Sequence, residues 1–102
     1  MNDEKIVNLL SMAQRAGKCA SGRTQVQKAL ESKKAVLMLI ATDASADSKA
    51  EFYKLAEKYE IKKFEVLNRE RLGSALGKEQ RSVAVLLDRG FGKAMETRIM
   101  EK

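Results

Sequence analysis

The chain has 102 residues, 44% apolar and 33% charged, and its 20 Lys and Arg against 14 Asp and Glu leave a formal charge of +6. This composition suits a globular domain better than a disordered chain, which lacks the apolar residues to build a core, and indicates one domain over residues 1–102. A basic domain of this size attracts polyanions, phosphate backbones first and acidic membrane surfaces second.

There is no His, Trp or Pro, and Cys19 is the only cysteine. Without His there is no Ser-His-Asp or Cys-His pair to activate a nucleophile, and one Cys with no His argues against a zinc site. A lone cysteine forms no intrachain disulfide and fits a reducing compartment. Met1-Asn2-Asp3-Glu4 places acid where a signal peptide carries Lys or Arg, and the longest apolar run, Ala35 to Ala41, is too short to span a bilayer. A cytoplasmic protein is expected, with no cofactor, no metal and no membrane partner.

Apolar spacing then alternates between helix and strand periods along the chain. Ile6, Leu9, Leu10 and Ala13 follow i, i+3, i+4, i+7, and Gly17 stands just beyond as a stop. A short strand over Lys18 to Ala20 has no legible periodicity. Val26, Ala29 and Leu30 mark a second helix opened near Ser21-Gly22. Ala35 to Ala41 reads as a strand buried on both faces, followed by a turn at Thr42-Asp43-Ala44-Ser45. Ser48 with Glu51 has capping-box spacing for a third helix, whose inner face is Phe52, Leu55, Ala56 and Tyr59. Phe64 to Leu67 is a short strand, Leu72, Ala75 and Leu76 a short helix, and Ser82 to Leu87 a second buried strand. Phe91, Ala94, Met95 and Ile99 form the inner stripe of a final helix. The order α-α-β-α-β-α-β, with that final helix, predicts an α/β fold: a three-layer α/β/α sandwich with a small mixed sheet of about four strands.

Charge is uneven. Residues 1–34 carry a net of +4, residues 35–68 a net of −1 and residues 69–102 a net of +3, so both chain ends would supply a basic face. Two segments stand out. Gly17-Lys18-Cys19-Ala20-Ser21-Gly22-Arg23-Thr24-Gln25-Val26-Gln27-Lys28 is a small, basic, polar stretch that runs into a helix, whose first N–H groups attract phosphate. Thr24, Gln25 and Lys28 line one edge of its first turns. Leu72-Gly73-Ser74-Ala75-Leu76-Gly77-Lys78-Glu79-Gln80-Arg81-Ser82 is a short helix ending in a polar, basic loop. By spacing alone, an ordinary capped surface helix is the commoner reading of the first segment and a helix C-cap that of the second.

Gly17-Lys18, Gly77-Lys78 and Gly92-Lys93 all fail the nucleotide-triphosphate loop pattern. Asp43, Asp47 and Glu51 read as turn and capping residues in preference to a metal cluster. Cys19 has basic neighbours in Arg15 and Lys18 but no partner base, and reads as a small buried residue. Most of the five aromatic residues fall on core stripes, leaving little for base stacking.

Four blocks together carry a resemblance: Gly22 to Ala29, Leu39-Ile40-Ala41-Thr42-Asp43-Ala44, Leu72-Gly73-Ser74-Ala75-Leu76-Gly77 and Val83-Ala84-Val85. In order and spacing the chain resembles, from Leu9 to about Lys93, the kink-turn-binding ribosomal protein family, and most closely its small bacterial YlxQ-like branch. The resemblance implies an α/β/α sandwich that binds RNA kink-turns without catalysis. The family reads RNA with Gly-x-Asn-Glu-x-x-Lys-Ala at the start of its second helix. Here Gly22, Lys28 and Ala29 match, while Thr24 replaces Asn and Gln25 replaces Glu. The family's second contact loop is usually apolar; here it reads Lys78-Glu79-Gln80-Arg81 and is shorter. The candidate RNA-binding residues are Lys18, Gly22, Arg23, Thr24, Gln25, Lys28, Lys78, Gln80 and Arg81. The expected partner is structured RNA, kink-turn or ribosomal, in association with the ribosome, bound by a monomer. A protein-interaction module on the same fold is the alternative, and a small nucleotide-binding enzyme a third reading.

Overall fold

The computed structural model describes residues 3–101; Met1 and Asn2, half of the acidic start noted above, and Lys102 lie outside them. The described chain runs α1 (Asp3–Arg15), β1 (Cys19–Ser21), α2 (Arg23–Glu31), β2 (Leu37–Ile40), α3 (Ala46–Lys58), β3 (Lys62–Glu65), α4 (Arg69–Ala75), β4 (Val83–Leu86) and α5 (Arg89–Met100). The four strands form one mixed sheet in the order β1-β4-β2-β3. β4 is antiparallel to both β1 and β2, whereas β2 and β3 are parallel and joined across α3.

The two central strands, β2 and β4, are buried at every position. Such strands need cover on both faces, which is why their sequences are continuously apolar. α2 lies on β1 and β4, and α3 on β2 and β3; α1 packs against α4 and α5 and also meets β1, while α5 meets β4. The result is the expected α/β/α sandwich. The helix stripes read from the sequence supply its core: Ile6, Leu9, Leu10 and Ala13 from α1, Val26, Ala29 and Leu30 from α2, Phe52 and Ala56 from α3, and Met95 from α5 are all buried. Burying a Leu, Ile or Phe fully is worth about 1.5–3 kcal/mol, so this shared core dominates the favourable side of folding.

Four local readings are corrected. Ser45, not Ser48, caps α3: the Ser48 N–H donates to Ser45 Oγ at 3.1 Å, and the helix starts three residues before the capping-box reading. The third strand is Lys62–Glu65 in place of Phe64 to Leu67. Its charged residues are tolerated because it is an edge strand, where Lys also blocks pairing with another chain. Leu67 cannot continue it, since Leu67 turns into the left-handed region at φ 62° while its side chain stays buried. The β1 strand does exist, one residue later than the stretch Lys18 to Ala20, with all three residues half-buried and hence no alternation to read. β2 and β4 are also shorter than the apolar runs that announce them.

Candidate nucleic-acid interface

β1, β2 and β3 all run in the same direction, so the starts of α2, α3 and α4 gather at one end of the sheet, together with the loop that enters β4. Each helix start brings a partial positive charge to that end. α2 opens at Gly22, which has φ 84° and ψ 154° and donates its N–H to the Val83 carbonyl at 3.1 Å. That φ favours glycine, and glycine leaves α2 without a side-chain cap. The opening N–H groups of α2 are therefore available to an anion. Thr24, Gln25 and Lys28 are exposed beside them.

The second segment is folded onto the first by α4. Asn68 caps this helix by accepting from the Arg71 N–H at 2.8 Å, and Gly77 closes it at φ 67°. The chain then turns back over the helix: the Lys78 N–H reaches the Gly73 carbonyl at 2.9 Å, and the Arg81 N–H reaches the Arg69 carbonyl at 3.1 Å. A Cβ on Gly73 would stand 1.9 Å from the Glu79 carbonyl oxygen, so only glycine permits this approach. Arg81 folds its guanidinium onto the Gln80 carbonyl at 3.0 Å and the Glu79 carbonyl at 3.4 Å. Its Nε would stand 3.9 Å from a Cβ on Gly22, so the two segments touch.

Between them is an open hollow of about 350 Å³, lined by Gly22, Arg23, Thr24 and Gln25 on one side and Gln80 and Arg81 on the other, with Phe52 among its lining residues. Six of the nine candidate residues thus meet in one place. Lys78 lines an adjoining hollow that shares Gln80. Lys28 sits one turn further along α2, exposed and outside the lining. Lys18 is not brought in: its carbonyl accepts from Leu87 at the far end of β1, and the strand carries it away from Gly22.

Arg23 is held in place. Its guanidinium pairs with Glu51 at 3.2 Å, donates to Ser48 Oγ at 3.4 Å and lies 5.7 Å from the centre of the Phe52 ring. It clamps α2 to α3, and its charge is already partly balanced. Phe52, Glu51 and Ser48 are the site's residues that the sequence reading missed, because they belong to a helix some 25 residues away whose own pattern signals only core and cap.

The family model for the Ribosomal protein L7Ae/L30e/S12e/Gadd45 family matches residues 4–95. The chain belongs to this family. It is 32% identical over 92 residues to the RNA-binding protein YlxQ of Enterococcus faecium, covering 90% of this chain and 88% of that one. It is 33% identical over 87 residues to the RNA-binding protein YlxQ of Bacillus subtilis (strain 168), covering 85% and 87%. A protein with unknown function from Bacillus halodurans C superposes with a TM-score of 0.89 at 33% identity, over 95% of this chain and 98% of that one. The Giardia lamblia 15.5kD RNA binding protein shares the fold at a TM-score of 0.77 and 18% identity, over 96% of this chain and 84% of that one.

Two further groups lie outside the hollow of this L7Ae-family chain. Asp43, in the turn after β2, accepts from the Arg69 backbone N–H at 2.8 Å and pairs with Arg69 Nε at 3.5 Å. The N–H bond, aided by the charge of Arg69, holds the Asp43 carboxyl below its ordinary value. Because the folded value is the lower one, this contribution is present above the unfolded carboxylate range and is lost as pH falls through the folded value. Asp43 and Glu51 thus each hold an arginine. No helix of the described residues is long and apolar enough to cross a membrane.

Cys19 lies half-buried in β1, and burial pushes its thiol up to about 12. Its basic neighbours do not lower it, and the thiolate that attacks electrophiles is scarce at ordinary pH. Alkylation by iodoacetamide at pH 8.5 should run at least roughly tenfold slower in the native protein than in urea, read by mass spectrometry. Equal rates would mean an exposed thiol and a misplaced β1.

Proposed function

We propose that this chain is a non-catalytic, cytoplasmic, single-domain RNA-binding protein that holds structured RNA as a monomer. The ligand is a kink-turn or ribosomal RNA, and through it the protein associates with the ribosome. One observation carries the reading: two segments far apart in sequence meet around an uncapped helix start and present Gln25, Gln80 and Arg81 to a single hollow. A phosphate placed against the first N–H groups of α2 meets partial positive charge. Gln25 and Gln80 each carry a donor and an acceptor that suit a base edge, and Lys28 provides a full charge one turn away. Family membership and RNA-binding relatives at 32% and 33% identity support the same reading. Ser21 and Ser82 also line the hollow, but the chain has no His to activate them, which supports binding without catalysis.

The test is affinity for a kink-turn RNA across salt concentrations. Contacts from Lys28, Lys78 and Arg81 should give a log–log slope of about −2 to −3, since each neutralised phosphate releases a counterion. A slope near zero would remove the electrostatic basis of the proposal.

Specificity is the weaker part of the design. Thr24 offers one hydroxyl where the resembling motif has an amide, and the exposed Lys78, Glu79 and Gln80 make a polar loop with no apolar cradle. Fewer base contacts with charge retained should narrow the gap between kink-turn and plain duplex RNA. Thr24→Asn should widen it, by improving kink-turn binding alone. If the native protein already discriminates as well as the variant, the hydroxyl suffices.

A further inference from the structure

The cations that lack a carboxylate partner are not confined to the candidate site, where Lys28, Lys78 and Arg81 are in no ion pair among the described residues. At the end carrying the starts of α2, α3 and α4, Arg23 pairs with Glu51, Lys49 with Glu65, Arg69 with Asp43 and Arg71 with Asp3. At the opposite end lie Lys18, Lys33, Lys34, Lys58, Arg89 and Lys93, and among the described residues none of the six is in an ion pair.

Backbone pairing brings these six together. The Lys18 carbonyl accepts from Leu87 at 2.9 Å, and the Val36 N–H reaches Leu86 at 2.8 Å. The start of β1, the end of β4 and the start of β2 are therefore neighbours, and Lys62 pairs with Leu37 to add the start of β3. Lys33 and Lys34 follow the end of α2, Lys58 ends α3, and Arg89 and Lys93 lie in the first turns of α5. A hollow of about 300 Å³ lies beside Lys33, Lys58 and Glu60, and another of about 420 Å³ beside Glu60, Arg89 and Lys93. Glu60 borders both, so the surface is continuous.

Carboxylates offset part of it: Glu96 is paired with Lys62, while Asp88, which accepts from the Phe91 N–H at 2.9 Å as the cap of α5, Glu31, which accepts from Gln27 at 3.0 Å, and the exposed Glu57 and Glu60 keep their charge, so the six cations still outnumber these carboxylates. The C-terminal ends of α2 and α3 point to this surface and add partial negative charge, which holds the lysines there and also repels a lone small anion. An extended polyanion spanning several cations is favoured over a single bound phosphate. The apolar groups on this surface, Val36 and Ile61, are half-buried, so nothing stands out to insert into a lipid layer.

We infer that this end of the sheet is a second RNA-contacting surface, built for phosphate backbone and not for bases, so that one molecule holds two RNA segments on opposite ends. The inference rests on the reading of the chain as an RNA-binding protein. The protein measures 29 × 27 × 26 Å, so the two segments stand a whole molecule apart. Counterion release makes such a surface salt-dependent and indifferent to sequence.

The experiment compares the native protein with a patch variant, Lys34→Gln/Arg89→Gln/Lys93→Gln, and a site variant, Gln25→Ala/Lys28→Ala, with circular dichroism melts confirming that all three fold. Each is titrated with a plain RNA duplex. Each is then tested, while bound to an immobilised kink-turn RNA, for capture of a second labelled duplex. The patch variant should bind the plain duplex roughly tenfold more weakly, with a log–log salt slope smaller by about two to three, and should lose capture while keeping kink-turn binding. The site variant should lose its preference for the kink-turn RNA while keeping the patch-dependent part of its duplex binding and salt slope. Duplex binding and capture equal to the native protein in the patch variant would overturn the inference. So would binding of phosphatidylserine vesicles at this patch with no patch-dependent duplex binding. If the native protein fails to bind the kink-turn RNA at all, the proposed function falls, while the duplex titration still judges the patch.

Discussion

Gly73→Ala should destabilise the protein and weaken RNA binding together. The added methyl would stand 1.9 Å from the Glu79 carbonyl oxygen and 2.6 Å from its carbon, and neither is the end of a flexible side chain. The loop must lift off α4, breaking the Lys78-to-Gly73 hydrogen bond and moving Gln80 and Arg81 from Gly22. Overpacking of this kind costs about 1–3 kcal/mol or more, a fall in Tm of roughly 4–8 °C per kcal/mol in a domain of this size. Gly77→Ala is the control. Gly77 has nothing within 4 Å of its missing Cβ and strains only its φ of 67°, a cost of about 1–2 kcal/mol. Thermal melts and an RNA titration of both variants should show a loss of affinity at Gly73 that is absent at Gly77. A Gly73→Ala protein that melts and binds like the native one would mean that the loop does not lie on α4.

Lys28→Ala should cost about 1–3 kcal/mol of RNA affinity, and Lys54→Ala close to nothing. Both lysines are exposed on helices, and neither is in an ion pair among the described residues. They differ in place. Lys28 stands one turn from Thr24 on the helix that opens the hollow, whereas Lys54 lies in the second half of α3. Side-by-side titrations at one salt concentration separate a defined site from diffuse attraction. Equal losses would mean that charge alone draws the RNA.

How much of this was legible depends on whether the signal is local. The buried stripe of α1 and the apolar runs of β2 and β4 follow from periods of 3.6 and 2, and they emerge where the residues place them. The three residues of β1 and the charged start of β3 carry no such period, since one strand is half-buried throughout and the other is an exposed edge. At the site, the helix opening at Gly22 and the loop after Gly77 were legible as segments, but their meeting was not, because the close approach of Glu79 to Gly73 is a tertiary contact. Lys18 was misplaced for a related reason. Four residues from Gly22 in sequence reads as one loop, yet an intervening strand at about 3.3 Å per residue carries it to the other end of the sheet. Arg23 is the converse case: adjacent to the helix start, and engaged by Glu51 and Phe52 from another helix.

The central claim, that structured RNA is read at the hollow between α2 and the Lys78–Arg81 loop, is tested most directly by one paired titration. The native protein and Gln25→Ala/Lys28→Ala are each titrated with a kink-turn RNA and with a plain duplex of equal length at the same salt concentration. The native protein should bind the kink-turn more tightly than the duplex, and the double variant should lose that preference while still binding the duplex. A native protein that binds both RNAs alike, or a double variant that keeps the full preference, would contradict the claim and point instead to a role in binding proteins.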